Sequence, residues 1–178
     1  ARSAHPVDLA SLDDYEFRGT ALGMPRWVER LSWITFKKTF HRDPTTGHLR
    51  GWNVRLVQDG CDGWTPVMVE NEPKTFGHYR VVSSAGRRLP PGIKHCSLID
   101  YGLGGNALLD PMNVIRDPLV SLSPHNSDRL LGWSFAELPG LLPQLPTYFL
   151  LERDQPLTHV HFPSRTPRKD RNPKRLAQ

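Results

Sequence analysis

From Ser32 to Phe162 the chain lacks amphipathic helical stretches. Short runs rich in aromatic and β-branched residues recur instead, roughly every 8–15 residues, with Gly or Pro between them. SWITFKKTFH leads through the turn residues DPTTGH into GWNVRLVQ, where Trp52, Val54 and Leu56 alternate with Asn53 and Arg55. This is the clearest strand–turn–strand signal in the chain. VMVENEP, FGHYRVV, HCSLIDYG, MNVI, PLVSLS, RLLGWSF, PTYFLLER and LTHVHF continue the series. Such spacing predicts an antiparallel barrel or sandwich. It disfavours βαβ units, which need helices between the strands. Plentiful Pro (17) and Gly (14) supply the turns, and five Trp with seven Phe argue against wholesale disorder. One segment, PRWVERL, has Trp27, Val28 and Leu31 at helical spacing behind Pro25, and predicts a short helix near the N-terminus.

Composition divides the chain into an expected arm (1–14), a β-barrel domain (15–162) and a basic tail (163–178). The arm reads as loosely held. The tail holds six basic residues and one acid, which accounts for the whole net charge of +5. With three prolines and little to bury, it is expected to be extended or disordered. It could meet an anionic surface. The body is electrically balanced, so no specific nucleic-acid partner is expected. No apolar run approaches the roughly 18 residues of a membrane helix, so no transmembrane segment is expected. The N-terminal residues lack a signal-like apolar stretch, which favours the cytoplasm. A start at Ala1 rather than Met leaves export open. Cys61 and Cys96 would permit one disulfide, and the sequence does not decide whether they form it.

YEFRGTALG, LSWITFKKTF, RLLGWSF and PTYFLLERD, in that order, resemble bacterial lipocalin-like domains of the GXWXG type. At the opening motif Tyr15 and Phe17 stand where the family has Gly and Trp, and Gly19 is retained. The resemblance implies a single small closed barrel, lipocalin- or calycin-like, with a ligand cavity.

Several side chains are candidates for a site. Trp52 with Val54 and Leu56, and Trp133 with Leu131 and Phe135, are expected to point into the barrel. With Trp33 they would line an aromatic cavity. Arg55, His78 and Arg80 would supply its polar contacts, provided their faces turn inward, and an inward Arg would select an acidic head group. Acid–base candidates are His78, Asp100, Tyr101 and His125. His159 and His161 lie on one face of a predicted strand and make half of a metal site, which His78 or His95 could complete. The loop from Asp100 to Asn106 is glycine-rich but carries neither a phosphate-loop nor a dinucleotide fingerprint.

The function these residues point to is binding of a small, largely apolar or amphipathic molecule, lipid- or fatty-acid-like, in the barrel. No cofactor is expected. The alternatives are an enzyme of isomerase, cyclase or dehydratase type using the same cavity, or a haem-binding barrel.

Overall fold

The computed structural model describes residues 4–22, 34–59, 63–93, 96–141 and 143–167. Eight strands close an antiparallel barrel: β1 (Tyr15–Leu22), β2 (Thr35–Arg42), β3 (Leu49–Arg55), β6 (Thr75–Ser83), β7 (Ser97–Asp100), β8 (Ile115–Ser121), β9 (Arg129–Ala136) and β10 (Gln144–Pro156). Two short strands, β4 (Met68–Val69) and β5 (Glu72–Pro73), form a separate hairpin between β3 and β6. The chain is thus mainly β, as its turn-punctuated sequence predicts. The expected helix at residues 25–31 and the end of the basic tail, residues 168–178, lie outside the described residues.

Pairing fixes which side chains enter the barrel, because residues opposite one another share a face. Lys38 lies opposite Asn53, Gly51 opposite Tyr79, Val81 opposite Ile99 and Ile99 opposite Asp117. Leu119 and Phe149 both lie opposite Gly132, and Gly19 opposite Leu151. All of these face inward. Trp52, Val54 and Leu56 therefore face outward, contrary to expectation, and so do Leu131, Trp133 and Phe135.

The reason the alternation misled is that β3 is buried on both faces, every residue from Leu49 to Val54 included. Trp52 is only 1% exposed, yet it is covered from outside by the segment after β10. LTHVHF, expected as a strand, forms none and lies along this outer face. Arg50 Nη1 donates to His161 O (2.9 Å), the His161 ring packs 5.6 Å from Trp52, and the Arg165 amide donates to Gly105 O (3.1 Å). Phe135 likewise joins an outer cluster with Val82, Leu98 and Leu103.

Residues 4–14 are not a loose arm. Leu12, in a 3-10 turn (Ala10–Leu12), is fully buried, Val7 joins the same core, and His5 pairs with Ser121 through two backbone hydrogen bonds of 2.9 Å. They plug the barrel end that carries the start of β1 and the close of β2. Phe17, Phe40, Leu130 and Leu151 complete that sealed end, each with no exposure.

Candidate functional site

Halfway along the interior the apolar lining is interrupted by charge. On β2, Phe36, Lys38 and Phe40 alternate onto one inward face. On β8, Ile115, Asp117 and Leu119 do the same. The barrel brings the two charges together, with Lys38 Nζ 3.6 Å from Asp117 Oδ2. The ammonium donates to Asn53 Oδ1 (2.9 Å) and to the Tyr101 hydroxyl oxygen (2.5 Å). Tyr101 O–H donates in turn to Asp117 Oδ2 (3.0 Å), and Ser134 O–H donates to Asp117 Oδ1 (2.7 Å). A relay Lys38–Tyr101–Asp117 results.

Aromatic rings enclose this cluster. Lys38 Nζ lies 5.0 Å from the ring centres of Tyr79 and Tyr101, 5.2 Å from Phe149 and 5.6 Å from Phe36. Ring faces carry partial negative charge and attract a cation. The Tyr79 ring lies against Gly51, where a Cβ would meet it at 2.7 Å, and its O–H donates to Thr39 O (2.6 Å). Gly77 has a positive φ of 54° beside a register shift between β3 and β6. A Cβ there would approach the Asn53 amide nitrogen to 2.9 Å, so glycine leaves room for Asn53 to hold Lys38 while donating to Gly77 O (3.1 Å).

Burial dominates the electrostatics. It lowers the Lys38 amine to about 8, against the opposing attraction of Asp117. It raises Asp117 above the ordinary carboxylate value, with Lys38 the largest opposing influence. Tyr101 and Tyr79 are pushed well above an ordinary phenol, by burial first and by Asp117 second. Burial of a charged pair costs several kcal/mol per ion before attraction and hydrogen bonds offset it. A strongly shifted titratable cluster enclosed in a fold is a functional-site candidate on physical grounds.

The two ends of the interior differ. Beyond the cluster, away from the plug, the inward-facing Phe36, Met112 and Ile115 are partly exposed. Arg55, opposite Phe36, also faces inward at that end and is half-buried. The end of β1 and the connections there present most of the exposed apolar side chains at the barrel ends, among them Leu22, Val57, Met68, Leu108, Leu109 and Leu141, against Leu122 at the plugged end. Exposed apolar groups gathered at one end mark a surface that meets something apolar.

Of the residues singled out from sequence, Tyr101 stands in the cluster and Arg55 at the open end. His78 and Arg80 are on the outer face of β6, with Arg80 opposite Arg50 and Asp100 in its neighbours. The His78 ring lies 6.1 Å from Trp52 and its imidazole is lowered to about 4 by burial, Arg50 and His161. Asp100 is also an outer-face group, paired with Arg87 (2.7 Å) and Arg116 (3.0 Å). An interior acid head group held by Arg80 is therefore ruled out. His125 is exposed on the connection between β8 and β9 at the sealed end. His159 is exposed and bonded to Thr158, and among the described residues no three His, Cys, Asp or Glu side chains converge as metal ligands. Trp133 is half-buried on the outside, and Trp33, Cys61 and His95 lie outside the described residues. Cys96 is a half-buried free thiol.

Lys38 and Asp117, the centre of the cluster, were not among the sequence candidates. Their signal was present: each is a lone charge flanked two residues either way by large apolar side chains on its own face. No family model matches the chain, no curated protein matches it, and no solved structure matches it.

Proposed function

We propose that the barrel binds a small, largely apolar molecule whose polar end is uncharged and rests on the Lys38–Tyr101–Asp117 cluster. One observation carries this reading: a buried charged pair lies inside a barrel sealed with apolar side chains at one end and lined by partly exposed ones at the other. A ligand would enter past Phe36, Met112 and Ile115 and stop at the cluster. The closed eight-stranded barrel also accords with the lipocalin-like resemblance, and we read the chain as a divergent barrel of that kind.

The charge of the cluster sets the chemistry of the polar end. Lys38 and Asp117 already balance one another. A carboxylate brought beside them would add an uncompensated buried charge, costing several kcal/mol. A carbonyl or hydroxyl needs only a donor or an acceptor, and the Lys38 ammonium and Tyr101 hydroxyl supply both. This shifts the expected ligand from a fatty acid towards a neutral amphipathic compound. The hydrogen-bonded relay also favours a second reading, an acid–base enzyme acting on such a compound, because the relay can move a proton between three groups of differing basicity.

The test is a thermal-shift panel on the full chain with matched alcohols, aldehydes and carboxylic acids on the same apolar body. Ligands that bind the folded state raise the melting temperature with concentration. The alcohols and aldehydes should raise it and the acids should not, and the double variant Lys38→Met/Asp117→Leu should lose the response. A panel with no active member, or one whose acids bind best, would overturn the reading.

A further inference from the structure

We propose that Lys38 captures an aldehyde or ketone covalently, condensing with the carbonyl to form an imine held inside the barrel. This rests on the ligand-binding reading above and names its substrate class.

The cluster has the three parts that the condensation needs. The nucleophile is the Lys38 amine, only 2% exposed; removal from water favours the reactive neutral form of a lysine, against the pull of Asp117 and the ring faces towards the cation. The proton acceptor is Asp117, 3.6 Å away directly and also reached through the Tyr101 hydroxyl, which receives from Nζ and donates to Oδ2. The proton donor for the later step is the same pair in reverse. Lys38 first passes a proton to Asp117. Its lone pair then attacks the carbonyl carbon, a C–N bond forms, and the C=O π electrons move to oxygen, which takes up a proton. Nitrogen next loses its proton to the relay, oxygen accepts a second one and leaves as water, and the C=N bond closes. The balance is amine plus carbonyl giving imine plus water, with no redox change and no further reactant.

Charge and shape favour retention of the product. A protonated imine carries the same charge as the ammonium it replaces, so it keeps the pairing with Asp117. It also keeps its place over the ring faces of Tyr79, Tyr101 and Phe149. A neutral aldehyde on an aromatic or apolar body is thus the fitting class. Polar sugars and oxoacids would bring hydroxyls or charge that the apolar lining cannot satisfy. The second lysine on β2, Lys37, points outward to Glu16 (2.9 Å) and Asp154 (3.0 Å), and offers no comparable environment.

The experiment uses the full chain with cinnamaldehyde at neutral pH, reduced with cyanoborohydride and examined by intact mass and peptide mapping. Thermal shift with cinnamyl alcohol, which cannot form an imine, is run in parallel. The expected result is one reduced adduct, on Lys38, forming at least tenfold faster than at any other lysine, and slower in Asp117→Asn. Mapping on the wild-type chain keeps the outcome independent of whether a variant folds. Binding of cinnamyl alcohol with no preference for Lys38 in labelling would overturn the imine while leaving the ligand-binding reading intact. Absence of both binding and adduct would overturn both.

Discussion

The two halves of the barrel interior are built from the same strands yet solve opposite problems. At the plugged end Leu12, Phe17, Phe40, Leu130 and Leu151 have no exposure, and the buried polar groups beside them, Ser121 and Ser127, are neutral hydroxyls hydrogen-bonded to backbone. Toward the other end the same β2 face carries Lys38 and Phe36, the same β8 face carries Asp117 and Ile115, and burial is incomplete. Replacing a buried ion pair with apolar residues of similar size is often neutral or stabilising. A chain selected for stability alone would have continued the packing of the first half into the second. The contrast therefore teaches that the sealed half supports the fold, whereas the charged half meets a requirement that stability does not impose.

Phe40→Ala tests the sealed half at its strongest point. The ring has no exposure and contacts Phe17 and Tyr79 edge-on at 5.3 and 5.9 Å. Loss of a buried Phe costs about 3–5 kcal/mol, measured by urea unfolding. Phe36→Ala, four residues away on the same face but partly exposed, should cost well under that. Equal costs would erase the contrast. In the charged half, Asp117→Ala should destabilise by about 3 kcal/mol, since it leaves Lys38 buried without its counter-charge. Lys38→Met/Asp117→Leu should instead match or exceed the wild-type stability. If the double variant is as unstable as the single one, the pair belongs to the fold's own requirements and the functional argument fails.

How much of this was legible in the sequence follows from which faces meet water. The barrel itself was readable, because turn chemistry and strand-like runs do not depend on what covers the strands. Direction was not readable on β3, where both faces are buried and Trp52 looks as inward as any residue could. What covers Trp52 is a segment more than a hundred residues away, fixed by Arg50 and His161, and no local pattern announces it. Tyr101 was singled out, though as a neighbour of Asp100 rather than a partner of Lys38. Lys38 and Asp117 were legible in principle from Phe36-x-Lys38-x-Phe40 and Ile115-x-Asp117-x-Leu119. Only strand pairing shows that these two interruptions meet.

Titration gives a third contrast, smaller in size. Lys38 releases its proton near pH 8 in the fold, against 10.5 for an ordinary lysine. Between those values the unfolded chain binds more protons than the folded one, so stability should rise with pH there. At about 1.4 kcal/mol per pH unit, the gain from pH 8 to 10 is on the order of 2 kcal/mol. Above pH 10 the raised tyrosines act in the opposite sense, because they ionise more readily when unfolded. Unfolding curves of wild type and Lys38→Met/Asp117→Leu across pH 7–10 isolate the charged pair, since the double variant keeps both tyrosines and leaves no buried carboxylate unpaired. Stability of the wild type should climb relative to the variant over that range. Parallel curves would mean that Lys38 titrates normally.

The smallest effect on stability should come from the partly exposed end, and it should be paired with the clearest effect on access. Met112 packs against the core without being fully buried, and its Cε lies near the space over Gly77 and Tyr101. Met112→Ala should cost below about 1 kcal/mol, because a side chain still in contact with water forfeits little burial and its site can relax. Leu12→Ala, an apolar truncation at the plugged end, should cost about 2–5 kcal/mol. Reductive trapping of cinnamaldehyde reads the other half of the comparison. If ligands enter past Met112, its truncation should speed adduct formation at Lys38 while Leu12→Ala, at a temperature where it stays folded, leaves the rate unchanged. Acceleration by Leu12→Ala alone would place the entrance at the N-terminal plug and reverse the assignment of the two ends.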